Sequence, residues 1–194
     1  MPLRAPVAIA LLLLSVTWGY SWVFLKIGSY DSGPLSYAGL RCFIGSICLL
    51  IALKFSSRPF FPYRFRELLC LGLVNTTGLV GASQWAVTLG PASRTSIVVF
   101  TMPFWTLLLA RLVLGERIHG AQWIAVVAAA VGLVTVIQPW SLESQLLANS
   151  IAVGAAFLWA ASAVMIKYIQ LRKPMDLLHL TAWQMAFGSL LLLL

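Results

Sequence analysis

Two nine-residue segments share one order of side chains: Trp18–Lys26 reads WGYSWVFLK and Trp159–Lys167 reads WAASAVMIK, with tryptophan, serine, valine and lysine at matching offsets. Tryptophan brings a broad π face and an N–H donor, which suit it to stack an aromatic or cationic group. At about 100° per residue, Ser15, Trp18, Trp22 and Lys26 fall within about 80° of one another and form one stripe on a helix. The chemistry of such a stripe is recognition of a small molecule; the alternative is packing against neighbouring helices or seating in an interfacial belt. Trp159 and Ser162 repeat Trp18 and Ser21 and join the candidates. Lys26 lies toward the end of its helix, where it can snorkel.

Other polar residues stand out against apolar surroundings. Thr77, Gly81, Gln84 and Thr88 lie within about 60° of arc, and a polar stripe of this kind faces a cavity or bonds to another helix rather than lipid. Thr101 and Trp105 flank Pro103, whose missing N–H frees a carbonyl one turn earlier and bends the segment. Arg41 sits inside an apolar run, where a cation costs about 2.5–3.5 kcal/mol on insertion scales. It therefore needs a partner, water, or a place near the outer interface. The candidate substrate contacts are thus Trp18, Trp22, Arg41, Thr77, Gln84, Thr101, Trp105, Trp159 and Ser162.

Catalytic and metal chemistry find little support. Asp31, Glu67, Glu116, Glu143 and Asp176 all fall at loops or helix ends, so no pair of carboxylates is buried for acid/base work or proton relay. His119 and His179 lack metal-ligand spacing, and no Gly-rich phosphate loop is present. The expectation is no enzyme, no cofactor and no metal. Cys42, Cys48 and Cys70 lie in or beside apolar runs and read as free thiols.

The elements that must position these residues follow from composition. Hydrophobic residues make up 61% of the chain and charged residues 9%, and mean hydropathy is +0.95, far from a soluble domain. Helices of about 20 apolar residues cross a bilayer, and the sequence predicts them near 6–28, 35–55, 67–89, 93–114, 119–138, 149–169 and 177–194. A signal peptide is not expected, because no small-residue cleavage site follows the first run. Ala125, Ala128, Ala129 and Gly132 predict close backbone packing of the fifth helix, as scaffold. The 13 Lys and Arg residues outnumber the 5 acids, yet they cluster between apolar runs instead of along one basic face, so no nucleic-acid partner is expected. Alternate loops place Arg4, Lys54, Arg58, Arg64, Arg66, Arg111, Arg117, Lys167, Arg172 and Lys173 on one side and Lys26 and Arg94 on the other. Positive-inside bias makes the first side, with the N-terminus, cytoplasmic.

With Trp18 on the first helix and Trp159 on the sixth, the second copy of the motif is displaced by five helices. An odd displacement turns it upside down. Inverted repeats provide two near-equivalent packings open to opposite sides, the physical basis of alternating access. The fold class expected is therefore all-α, a polytopic bundle of inverted five-helix repeats. The first repeat occupies residues 1–140, and residues 141–194 begin the second with two helices. The run Leu190–Leu194 ends without a polar flank, so the second repeat is expected to be incomplete here.

Thr95–Arg117 (TSIVVFTMPFWTLLLARLVLGER), with its central proline and terminal Gly-Glu, resembles the fourth helix of EamA-type transporters of the drug/metabolite transporter superfamily. Gln84–Ser96 (QWAVTLGPASRTS) resembles that family's third-helix end and turn, and the WG-to-Lys segment its first helix. The resemblance covers essentially the whole chain. It implies ten helices in a complete member and movement of small metabolites or drugs, often outward, across the inner (plasma) membrane. A chain stopping about three helices short would be completed by those helices or by a homodimer. The absence of carboxylates within the spans favours a uniporter or exchanger. The alternative function is a non-transporting helical subunit that acts through helix–helix assembly.

Overall fold

A computed structural model describes residues 5–117, 119–137 and 145–194. Arg4, Glu143 and the expected repeat boundary at 140/141 lie outside the described residues. Those residues form an all-α bundle without strands: α1 (Ala5–Ser32), α2 (Pro34–Lys54), α3 (Phe65–Leu71), a π-helical segment (Gly72–Val80), α4 (Gly81–Leu89), α5 (Ala92–Val99), α6 (Met102–Leu114), α7 (Gly120–Ile137), α8 (Leu146–Arg172) and α9 (Leu177–Leu193). α3, the π segment and α4 form one continuous rod. Among the described residues, α1, α2, α5–α6, α7 and α8 are long and apolar enough to cross a membrane, and α9 is a shorter apolar helix.

The element boundaries have local causes. Gly33 takes φ 76°, a backbone conformation that costs glycine little, and Pro34 then starts α2. Pro103 cannot continue the hydrogen-bond ladder, and the helix from Ala92 breaks into two pieces at Phe100 and Thr101 instead of merely bending. The π segment GLVNTTGLV combines two glycines with β-branched residues of weak helix propensity. It also lies where another backbone presses closest. A Cβ at Gly188 would come 2.4 Å from the Gly72 carbonyl oxygen and 2.4 Å from Thr76 Cβ, so α9 and the π segment touch main chain to main chain. α9 packs on α2 along its other side.

α8 is the central element, packed against α4, α5, α6 and the π segment. Trp22, Leu25, Ala86, Val87, Val98, Val99, Ala152 and Ala155 form the core where α1, α4, α5 and α8 meet. In a bilayer such a core holds by close packing and interhelical hydrogen bonds. α7 departs from the scaffold role expected of its small residues. Val126 alone of its residues is buried, and nothing lies within 4 Å of a Cβ at Gly132. Its main contacts are light ones to α5 and α6, with Leu133, Val136 and Ile137 against the core, so the small face is left largely open.

Polar contacts sort the loops into two ends. At one, Arg58 pairs with Asp176 at 2.7 Å, Arg64 donates to the Lys173 carbonyl at 2.6 Å, and Lys167 pairs with Glu116. At the other, Lys26 Nζ donates to the Gly90 carbonyl at 2.7 Å and Arg94 donates to Gln145 Oε1 at 2.8 Å. Asp176 caps α9 by accepting from the His179 backbone N–H. That bond, with Arg58 beside it, holds its carboxyl below the usual carboxylate range.

Candidate functional site

The two repeated tryptophans meet. Trp18 and Trp159 each stand near the middle of a long helix, α1 and α8, and their rings stack with centroids 6.0 Å apart and planes 11° from parallel. Phe100, at the break between α5 and α6, leans on Trp159 at 6.2 Å and meets Trp22 edge-on at 5.9 Å. Three of these rings, Trp18, Trp22 and Trp159, border a cleft of ≈360 Å³ lined also by Ser21, Arg41 and Ser83, with Leu14, Leu79 and Val99 as apolar wall. Four of the nine sequence candidates, Trp18, Trp22, Arg41 and Trp159, therefore line one cavity. Trp22 is 8% exposed, and its Nε1 has no acceptor among the described residues.

The other five candidates stand elsewhere. Gln84 is fully buried and its Nε2 donates to the Leu25 carbonyl at 2.7 Å and to Ser29 Oγ, tying α4 to α1. Thr77 donates to the Gly188 carbonyl at 2.9 Å, tying the π segment to α9. Thr101 donates back to Val98 at 2.7 Å within the helix break. Trp105 packs edge-on against Phe104 and Phe157 at 4.8 and 5.9 Å. Ser162 donates to the Trp159 carbonyl at 2.8 Å and stands 3.2 Å from Asn75 Oδ1. The polar stripe read at 100° per residue is thus divided between two partner helices. A π turn spans i→i+5, so faces drift across Gly72–Val80 relative to an α-helix.

Ser21 and Ser83 line the cleft and were not among the nine candidates. Phe100, just ahead of Thr101 and Pro103, packs on Trp22 and Trp159 without lining the cleft itself. Ser83 gave no signal, because its face depends on the π segment that precedes it. A larger cavity of ≈770 Å³ opens between α3, α6 and α8 at the arginine-rich end. Arg64, Arg66, Glu67 and Arg172 line it beside an aliphatic wall that includes Leu109, Val113 and Ile169, and it contains none of the nine candidates. Arg64, on its rim, is already engaged by Lys173 and Glu67.

The cleft can stack a flat ring and hold an anion against Arg41. Lys26, by contrast, is committed to the Gly90 carbonyl.

Comparison with known proteins bears on this geometry. The EamA-like transporter family matches residues 5–138. An uncharacterised transporter, YoaV, of Bacillus subtilis (strain 168) is 28% identical over 96% of this chain and 66% of its own length. A probable amino-acid metabolite efflux pump of Escherichia coli (strain K12) is 32% identical over 81% of this chain and 52% of its own length. A riboflavin transporter of Rhizobium johnstonii is 30% identical over 82% of this chain and 51% of its own length. The chain spans about half to two thirds of the length of these curated relatives. No solved structure matches it.

Proposed function

Because the chain belongs to the EamA-like transporter family, of the drug/metabolite transporter superfamily, we propose that it exports a small metabolite or drug by alternating access, with the tryptophan-walled cleft as the substrate site. The observation that carries this reading is the stack of Trp18 on Trp159. Residues at equivalent places of the two sequence repeats face each other midway along their helices, as the contact of two units around a pseudo-twofold axis in the membrane plane requires. The two ends of the bundle support the inversion: Gln145, before α8, bonds to Arg94, while Lys173, after it, bonds to Arg64. The family match over residues 5–138 supports residues 1–140 as the first repeat and 141–194 as the start of the second. The positive-inside rule supports a cytoplasmic N-terminus and the arginine-rich end facing inward, in the inner membrane.

Rocking of one repeat against the other would open the cleft to each side in turn. The helix break at Phe100–Thr101 supplies a natural bend beside it. One relative is named an efflux pump and another a riboflavin transporter, and the first name favours outward movement. Further helices or a second copy of the chain would close the cleft over α1, whose apolar side chains are largely exposed. That exposure also favours the second reading, a helical subunit that works by assembly. Cells expressing the chain, loaded with labelled amino acids, flavins or nucleobases, should lose at least one solute faster than cells expressing the Trp18→Ala, Trp159→Ala variant. Equal loss of every solute by both sets of cells would overturn the export reading.

A further inference from the structure

We infer that the molecule held in the cleft is a small, flat aromatic anion, an aromatic carboxylate by chemical class. The inference rests on the proposed use of the cleft as the substrate site.

Three observations converge on it. The first is an uncompensated cation. Arg41 lies within α2, a membrane-length helix, and lines the cleft. Among the described residues it makes no ion pair: Glu67, Glu116 and Asp176 are engaged by Arg64, Lys167 and Arg58 at the arginine-rich end, and Asp31, at the end of α1, stands in no ion pair with it. A guanidinium within a span needs an opposing charge or water, and an anion in the cleft supplies the charge.

The second is an unused donor. Trp22 is buried and its Nε1 meets no acceptor among the described residues, although an indole N–H in such a place ordinarily finds one. A carboxylate has two oxygens, so one held by Arg41 keeps the other free for Trp22 Nε1 once the indole ring turns that buried donor toward the cleft. The third is the wall. Trp18 and Trp159 already stack in parallel, and Trp18 is 45% exposed, so a third flat ring can extend the stack. The volume of ≈360 Å³ is near the lower limit of small-molecule sites, about 300–1,000 Å³. One or two fused rings fit that space better than a larger cofactor-like molecule. A cationic solute would gain from the rings but would be repelled by Arg41.

Calorimetric titration of the purified chain in detergent with three probes tests this: indole-3-acetate, its neutral amide, and the non-aromatic anion cyclohexane acetate. Indole-3-acetate should bind about tenfold more tightly than either of the others, since each lacks one of the two recognition elements. Arg41→Gln should bring the acid down to the affinity of the amide while leaving the amide unchanged, and Arg41→Lys should keep part of the preference. Trp22→Phe keeps the ring and removes the donor, and should weaken the acid alone. An amide that binds as tightly as the acid, or a preference that survives Arg41→Gln, overturns the anionic assignment. Cyclohexane acetate binding as well as indole-3-acetate overturns the aromatic one, and failure of all three probes to bind overturns the class as a whole. The site reading fails separately, if probe binding is untouched by Trp18→Ala and Trp159→Ala.

Discussion

Replacing Gly188 by alanine tests the tightest joint in the bundle. An added Cβ would meet the Gly72 carbonyl oxygen and Thr76 Cβ, each at 2.4 Å, and the first of these belongs to backbone that cannot rotate away. α9 must then move off the π segment. Overpacking of this sort costs about 1–3 kcal/mol. The displacement also breaks the bond from Thr77 to the Gly188 carbonyl, worth about 0.6 kcal/mol on average and up to about 1.7 between membrane helices. The expected loss is about 2–4 kcal/mol in all. Two glycines calibrate it. At Gly45 the obstacle is the Met185 methyl at 2.6 Å, the far end of a flexible side chain, so Gly45→Ala should cost under about 1.5 kcal/mol. At Gly154 nothing lies within 4 Å, and alanine should gain up to about 1 kcal/mol of helix propensity. Unfolding by SDS titration, followed by circular dichroism in mixed micelles, reads all three. A Gly188→Ala variant no less stable than Gly45→Ala would refute main-chain contact between α9 and the π segment.

Four further outcomes follow from the same contacts. A double-mutant cycle between Trp18→Ala and Trp159→Ala in the same titration should give a coupling of about 0.5–1.5 kcal/mol beyond additivity; additive losses would mean that the rings do not stack. Gln84→Leu should lower stability by about 1–2 kcal/mol by removing the tie to Leu25 and Ser29, with probe affinity in the cleft unchanged. A large affinity change would return Gln84 to the binding site. Lys26→Met should destabilise by about 1.5–3 kcal/mol through loss of the charged bond to Gly90, and a neutral result would show that the lysine only snorkels. Asp176 is held below the usual carboxylate range, so its pairing stabilises the fold at neutral pH and fades as pH falls through that lowered value. Melting of wild type and Asp176→Asn should therefore differ near pH 7 and converge in acid; a gap that widens in acid would reverse the sign.

Span positions were readable because a bilayer imposes a strict length and apolar content on each helix. Seven predicted runs coincide with the observed rods to within about four residues at either end, the widest gaps being α1 running on to Ser32 and α8 spanning Leu146–Arg172. The repeat, visible in Trp18 and Trp159, also pointed to the two rings that stack. Faces along the third rod were not readable. The arithmetic that grouped Thr77 with Gln84 assumes an unbroken α-helix, whereas nine residues of π-helix carry Thr77 to α9 and Gln84 to α1. Pro103 announced a bend, but a full break depends on how Thr101 and Phe104 re-bond around it. Small residues in α7 promised close packing, yet small side chains only permit an approach. Whether a neighbour comes is decided by the rest of the bundle.

The central claim is that the cleft beside Trp18 and Trp159 opens to both sides of the membrane in turn. Ser21 lines that cleft and is half-buried. A Ser21→Cys variant, with Cys42, Cys48 and Cys70 replaced by serine, can be challenged with a membrane-impermeant thiol reagent in right-side-out and in inverted vesicles. Labelling is expected in both preparations, slowed in both by indole-3-acetate. Labelling from one face only, or from neither, would contradict it.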